Sequence, residues 1–208
     1  MPSPDPAFVT LAEQLHAARY AVLVWEAGVL PAHGALLVEA LNRIVASLNL
    51  TTRAATFSLG GSDGAYTINN VFTWLSGLPL RTRVQQSSVQ HEPLRFDTQS
   101  LLSDHAVDGL LWVASFDPTR VPPATDLPCV VLGPPAMSTR LRDTGMLDRC
   151  IFLPVATPGL NAPGHLFRTD GGIVVPLVPA GPTSLPTVAE VLMRIDQRVA
   201  ATTTREAS

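Results

Sequence analysis

Continuous apolar runs alternate with apolar residues spaced three and four apart. Phe8, Leu11, Leu15 and Ala18, with Thr10, Glu13 and Gln14 between them, predict an amphipathic helix to about Arg19. Tyr20-Ala-Val-Leu-Val-Trp25 is apolar throughout, the pattern of a strand buried on both faces. Leu37, Leu41, Ile44, Val45 and Leu48 give residues 35–49 one apolar helical face, and residues 53–59 read as the next strand. Gly60, Gly61 and Gly64 form a turn before a short helix over 67–75, closed by Gly77 and Pro79. Residues 80–86 read as a strand and 87–93 as a polar loop. The alternation then repeats: a helix over 98–105 capped by Asp97 or Thr98, strands over 109–114, 129–132 and 150–155, and a weak helix over 139–147. Residues 167–177 read as a hairpin turning at Asp170-Gly-Gly172, and 186–199 as a terminal helix.

This order predicts an α/β fold: an open, mostly parallel sheet with helices on both faces. It predicts a loose tail over 1–7, a single domain over 8–199 with an irregular Pro/Gly-rich C-terminal lobe over 157–186, and a frayed end over 200–208.

Composition narrows the function. Of 208 residues, 46% are apolar and 15% charged, enough apolar surface for a core but little charge to solubilise a free monomer. That imbalance points to a protein that lives against partners. The net charge of −3 offers no basic field for nucleic acid. All 14 basic residues are arginine, which excludes Schiff-base chemistry and a phosphate-loop lysine. No apolar run is long enough to span a bilayer, and Met1-Pro-Ser-Pro-Asp-Pro6 lacks the basic head and apolar core of a secretory signal. A cytoplasmic protein without membrane contact is expected. Cys129 and Cys150, each inside an apolar run, read as buried free thiols, and two cysteines do not define a disulfide.

Candidate chemistry is sparse. Gly60-Gly-Ser-Asp-Gly64 could cradle a phosphate before a helix, but it fits neither nucleotide-binding glycine pattern, and a structural turn pinned by Asn69 and Asn70 is the simpler reading. His16, His33, His91, His105 and His165 show no zinc spacing, so no metal site is expected. Ser103-Asp-His105 are consecutive on a helix and point apart, unlike a catalytic triad, so no catalytic residue is assigned. Arg168 and Asp170 are the pair to examine: a carboxylate-binding or interface site, or a local ion pair fixing the turn.

Several blocks carry a resemblance. In order they are Thr56-Phe-Ser-Leu-Gly-Gly61, Asn69-Asn-Val-Phe-Thr-Trp-Leu-Ser-Gly-Leu-Pro79, Val107-Asp-Gly-Leu-Leu-Trp112 and Gly164-His-Leu-Phe-Arg-Thr-Asp-Gly-Gly172. Over roughly residues 20–178 the chain resembles the family of formylmethanofuran dehydrogenase B subunits, and within it the B subunits of the formyltransferase/hydrolase complexes of methylotrophs. The resemblance implies a Rossmann-like domain of the molybdopterin oxidoreductases. It implies a complex that moves a formyl group from formyl-tetrahydromethanopterin to a methanofuran-type carrier and releases formate. The implied partners are an amidohydrolase-like A subunit, a C subunit and a formyltransferase D subunit. The catalytic relatives use a cysteine-rich segment for an iron–sulfur cluster, which takes four thiolates, and a cysteine or selenocysteine beside a histidine for tungsten or molybdenum. This chain has two cysteines and no Cys-His pair, and the resemblance implies a start where those N-terminal domains would have ended. The expectation is therefore a non-catalytic scaffold with no cofactor. The rival is that the Gly60 loop keeps a small ligand, a carrier or nucleotide, in a binding module or remnant formylmethanofuran dehydrogenase domain. A third reading is an α/β domain unrelated to one-carbon metabolism.

Overall fold

The computed structural model describes residues 5–26, 29–31, 33–59, 62–85, 88–168 and 172–206. The chain divides into two compact units, residues 1–61 with 168–172, and residues 62–167 with 173–208.

The first unit holds helix α1 (Pro6–Ala17), strand β1 (Ala21–Glu26), helix α2 (Gly34–Leu48) and strand β2 (Ala54–Leu59). Asp5 caps α1 by accepting from the Ala7 N–H at 2.9 Å, and Pro6 sits where the helix needs no donor. β1 and β2 pair in parallel, from Ala21 opposite Ala54 to Glu26 opposite Leu59. Asn49 fixes the start of β2: its amide donates to the Ala54 carbonyl at 2.9 Å and its oxygen accepts from the Ala54 N–H at 2.9 Å. The apolar run of β1 predicted a strand covered on both faces. Burial instead alternates, with Ala21 buried and Val22 and Val24 exposed. The pair is only two strands wide and α2 packs against β2. Among the described residues of this unit no second layer lies over Val22 and Val24.

The second unit centres on three parallel strands in the order β5-β6-β7: β5 (Leu110–Val113), β6 (Cys129–Gly133) and β7 (Cys150–Pro154). Val131 and Leu132 of β6 are both 0% exposed, and being successive strand residues they point to opposite faces. Val131 packs with Met137 and Leu141 of helix α5 (Met137–Asp143), and Leu132 with Val155 and with Val191 of helix α6 (Val188–Glu206). Helices thus cover both faces of this sheet, as predicted. Thr187 and Glu190 open α6 with a reciprocal cap: the Thr187 N–H donates to the Glu190 carboxylate at 2.7 Å, and the Glu190 N–H donates to the Thr187 hydroxyl at 3.2 Å. The backbone bond from Thr187, then its hydroxyl, holds the Glu190 carboxyl below its usual pKa. Helix α4 (Thr98–Ser103) starts at Asp97, which accepts from the Gln99 and Ser100 N–H groups.

Three expectations change. The described strands do not form one open sheet. They form a two-stranded and a three-stranded parallel sheet and two antiparallel hairpins, β3 (Thr82–Gln85) with β4 (Ser88–His91) and β8 (Gly164–Phe167) with β9 (Val174–Leu177). Neighbours in sequence satisfy these ladders locally. The expected polar loop after residue 87 instead holds β4, stabilised across the pair by Val84 against Val89 and by Arg83 donating to Gln90 at 2.6 Å. Finally, α6 continues past Val199 to Glu206. The hairpin over 167–177 is present as β8–β9, although part of its turn, Thr169 to Gly171, lies outside the described residues.

Leu132 and Val24 should respond oppositely to truncation. Leu132→Ala leaves a cavity at a fully buried position and should cost about 2–5 kcal/mol, whereas Val24→Thr, on an exposed face, should stay within about 0.5 kcal/mol. Denaturant unfolding of the purified variants measures both, and equal losses would contradict this placement of the core.

Candidate functional site

The sequence singles out the strand, glycine turn and helix ending at Pro79. Gly60 and Gly61 lie outside the described residues, as does Asp170 of the Arg168–Asp170 pair. The described part begins with a 3-10 turn, Ser62–Gly64, that leads into helix α3 (Ala65–Ser76). Asp63 and Gly64 both have positive φ, 57° and 79°. A methyl group on Gly64 would sit 3.0 Å from Cε2 of Phe116 and 3.6 Å from Cδ2 of Leu166. The space beside this turn is therefore filled by the protein's own side chains.

Charges tie the turn down. The Arg120 Nε donates to the Asp63 carboxylate at 3.1 Å and lies 3.8 Å from Asp117. The Arg120 carbonyl accepts from the Trp112 indole at 2.7 Å. Asp117 also accepts from the hydroxyl and N–H of Thr119, and that hydroxyl bond first of all holds its carboxyl below the usual range. The Arg120 side chain is 60% exposed and those of Asp63 and Asp117 are 36% and 30% exposed, so solvent screens the pairing and it contributes orientation more than stability.

Neither asparagine is aimed at an open site. The Asn69 side-chain oxygen accepts from the Leu80 N–H at 3.0 Å, fastening the chain beyond α3 back onto the helix. The Asn70 amide donates to the Tyr66 carbonyl at 2.8 Å, one turn back. Gly77, at φ 79°, ends α3, its N–H bonded to the Thr73 carbonyl. Along its length α3 rests on β8: Tyr66 and Trp74 meet the Phe167 ring edge-on at 6.3 and 5.1 Å, and the Thr67 hydroxyl accepts from the Phe167 N–H at 2.9 Å. Another face of α3, with Ile68, Val71 and Leu75, lines an apolar depression of about 250 Å³. Leu75 is 83% exposed there.

The structure also groups residues that the sequence could not. Cys129 and Cys150 are register partners on β6 and β7; both are free thiols whose pKa burial raises. Their spacing of twenty-one positions carries no such signal without the strand order. Arg19, Tyr20, Thr51, Thr52 and Arg53 line a cleft of about 890 Å³, with the Arg53 guanidinium 5.2 Å from the Tyr20 ring centre. An apolar groove of about 620 Å³ runs along α6. Among the described residues no three His, Cys, Asp or Glu side chains gather as a metal site.

The two left-handed glycines separate strain from crowding. Nothing lies within 4 Å of a methyl group built on Gly77, so Gly77→Ala should cost about 1–2 kcal/mol for the left-handed backbone alone. Gly64→Ala should cost roughly 1 kcal/mol more, because Phe116 must move. Adding Phe116→Ala should remove the excess in a double-mutant cycle of unfolding free energies; an excess that persists would contradict the contact.

No protein-family model matches the chain. It is 25% identical over 199 residues to the B subunit of the formyltransferase/hydrolase complex Fhc of Methylorubrum extorquens, a match covering 94% of this chain and 53% of that protein. It also superposes with a TM-score of 0.79 and 24% identity on a chain in the crystal structure of the M. extorquens formyltransferase/hydrolase complex with methylofuran, covering 97% of this chain and 55% of that one. The chain is thus homologous to the B subunit of a formyltransferase/hydrolase complex, shares its α/β fold, and spans about half the length of the relatives it matches.

Proposed function

We propose that this chain serves as a structural, non-catalytic part of the B subunit in a formyltransferase/hydrolase complex. Homology along 94% of its length carries the proposal. In this reading the complex moves a formyl group from formyl-tetrahydromethanopterin to a methanofuran-type carrier and releases formate. An amidohydrolase-like subunit and a formyltransferase subunit perform the chemistry, and this chain docks against them and the C subunit in the cytoplasm without a cofactor of its own. Kinship with the B subunit of formylmethanofuran dehydrogenase, and a Rossmann-like origin of the parallel sheets, belong to the same reading. The filled space beside Gly64 favours a turn kept for its shape over one that holds a ligand.

Exposed apolar side chains support docking: Phe8 and Leu11 on α1, Val22 and Val24 on β1, and Trp74 and Leu75 on α3 are all exposed.

Co-expression with the other subunits of such a complex from the same organism should give one assembly of fixed stoichiometry by native mass spectrometry. A chain that stays monomeric and soluble beside them would contradict the proposal. Elemental analysis of the purified chain should find no tungsten, molybdenum or stoichiometric iron, and any of these retained by the chain alone would overturn its non-catalytic role.

A further inference from the structure

The parallel pairing of β1 and β2 sets their first residues side by side, and a cleft opens at that end of the sheet. Arg19, Tyr20, Thr51, Thr52 and Arg53 line it, all from the two segments that lead into the strands. Hydrogen bonds fasten these segments together. The Thr52 hydroxyl donates to the Ala18 carbonyl at 2.5 Å, and the Ala21 N–H donates to the Arg53 carbonyl at 2.8 Å. The Arg53 guanidinium carbon lies 5.2 Å from the Tyr20 ring centre, a contact that steadies a planar cation against a ring face. Among the described residues, the Arg19 and Arg53 guanidinium groups donate no hydrogen bond and join no ion pair, and the Thr51 hydroxyl has no partner. The segments that build the cleft supply no acid. The chain carries none between Glu13 and Glu26 or between Glu39 and Asp63, and Glu26 stands at the far end of β1. Two positive groups without a counter-charge thus line one opening, in a chain whose net charge is −3.

We propose that this cleft binds an oxyanion, a phosphate or a group of carboxylates carried by a small molecule. The planar fork of a guanidinium offers paired N–H donors that match both groups, and stacking on Tyr20 orders the Arg53 fork before a ligand arrives. Arg19 supplies the second positive charge and Thr51 a hydroxyl donor. A neutral or cationic ligand would leave both charges uncompensated. An apolar ligand has little to cover, because two arginines and two threonines make up four of the five lining residues. The cleft lies at the opposite end of β2 from the Gly60 loop, so it is separate from the turn that the sequence singles out. The proposal goes beyond the subunit reading and does not depend on it.

The test titrates the full chain at low salt with sodium pyrophosphate and, separately, with sodium citrate, read by isothermal titration calorimetry. At least one of the two should bind at a single site, with an affinity that falls as sodium chloride is added. Arg19→Gln and Arg53→Gln should each weaken that binding roughly tenfold. Arg19→Gln should leave the melting temperature unchanged, since its guanidinium makes no bond among the described residues. Arg43→Gln, which removes a cation paired with Glu39 at 3.4 Å on α2, should leave the binding unchanged. A preference for pyrophosphate assigns the cleft to phosphate, and a preference for citrate assigns it to carboxylates. Binding of neither probe, or binding that both cleft variants retain in full, would overturn the proposal and leave the subunit reading standing. An equal loss with Arg43→Gln would reveal a diffuse charge effect and overturn it as well. Failure of the chain to join a complex would remove the subunit reading and leave the oxyanion site in place.

Discussion

The second unit depends on one strand. β6 places consecutive residues, Val131 and Leu132, on opposite faces with neither in contact with solvent. That arrangement needs a layer on each side, and the chain supplies them as α5 over Val131 and α6 over Leu132. Apolar burial is the dominant favourable contribution to folding, and a strand sealed on both faces concentrates it. The remaining strands of this unit are half-covered, and its hairpins pair with themselves. Among the described residues the first unit shows no equivalent: its two-stranded parallel sheet, with α2 packed against it, leaves Val22 and Val24 exposed.

This contrast explains what the sequence could and could not tell. The existence of most elements was legible, because apolar runs and helical spacing report burial directly. The Asp97 cap, the Gly77 stop and the β8–β9 hairpin followed from local chemistry that acts within a few residues. Sheet membership was not legible. The β1 run reads like a buried strand, yet half of it is exposed here, since an apolar pattern records what must be covered and not what covers it. The strand Ser88–His91 was hidden for the converse reason: its residues are mostly polar and it is held by pairing with β3. The candidate site was legible as a turn and helix. Phe116 and Arg120, which fill and pin that turn, come from more than fifty positions away, a distance at which local patterns say nothing.

These observations join into a single physical picture. A chain rich in apolar residues and poor in charge folds one well-sealed sheet and leaves several apolar faces in water. Its turn at Gly64 is packed against Phe116 and Leu166 and tied by Asp63 to Arg120. Under the proposed function those uncovered faces are surfaces for other proteins, a reading supported by the homology to the B subunit of a multi-protein complex.

Hydrogen exchange of the chain alone and inside the co-expressed complex tests this most directly. The account predicts slow exchange of β5–β7 in both states, with β1 and the last turns of α6 exchanging quickly in the free chain and slowing in the complex. Equal protection of β1, α6 and β6 in the free chain, or no change on assembly, would contradict it.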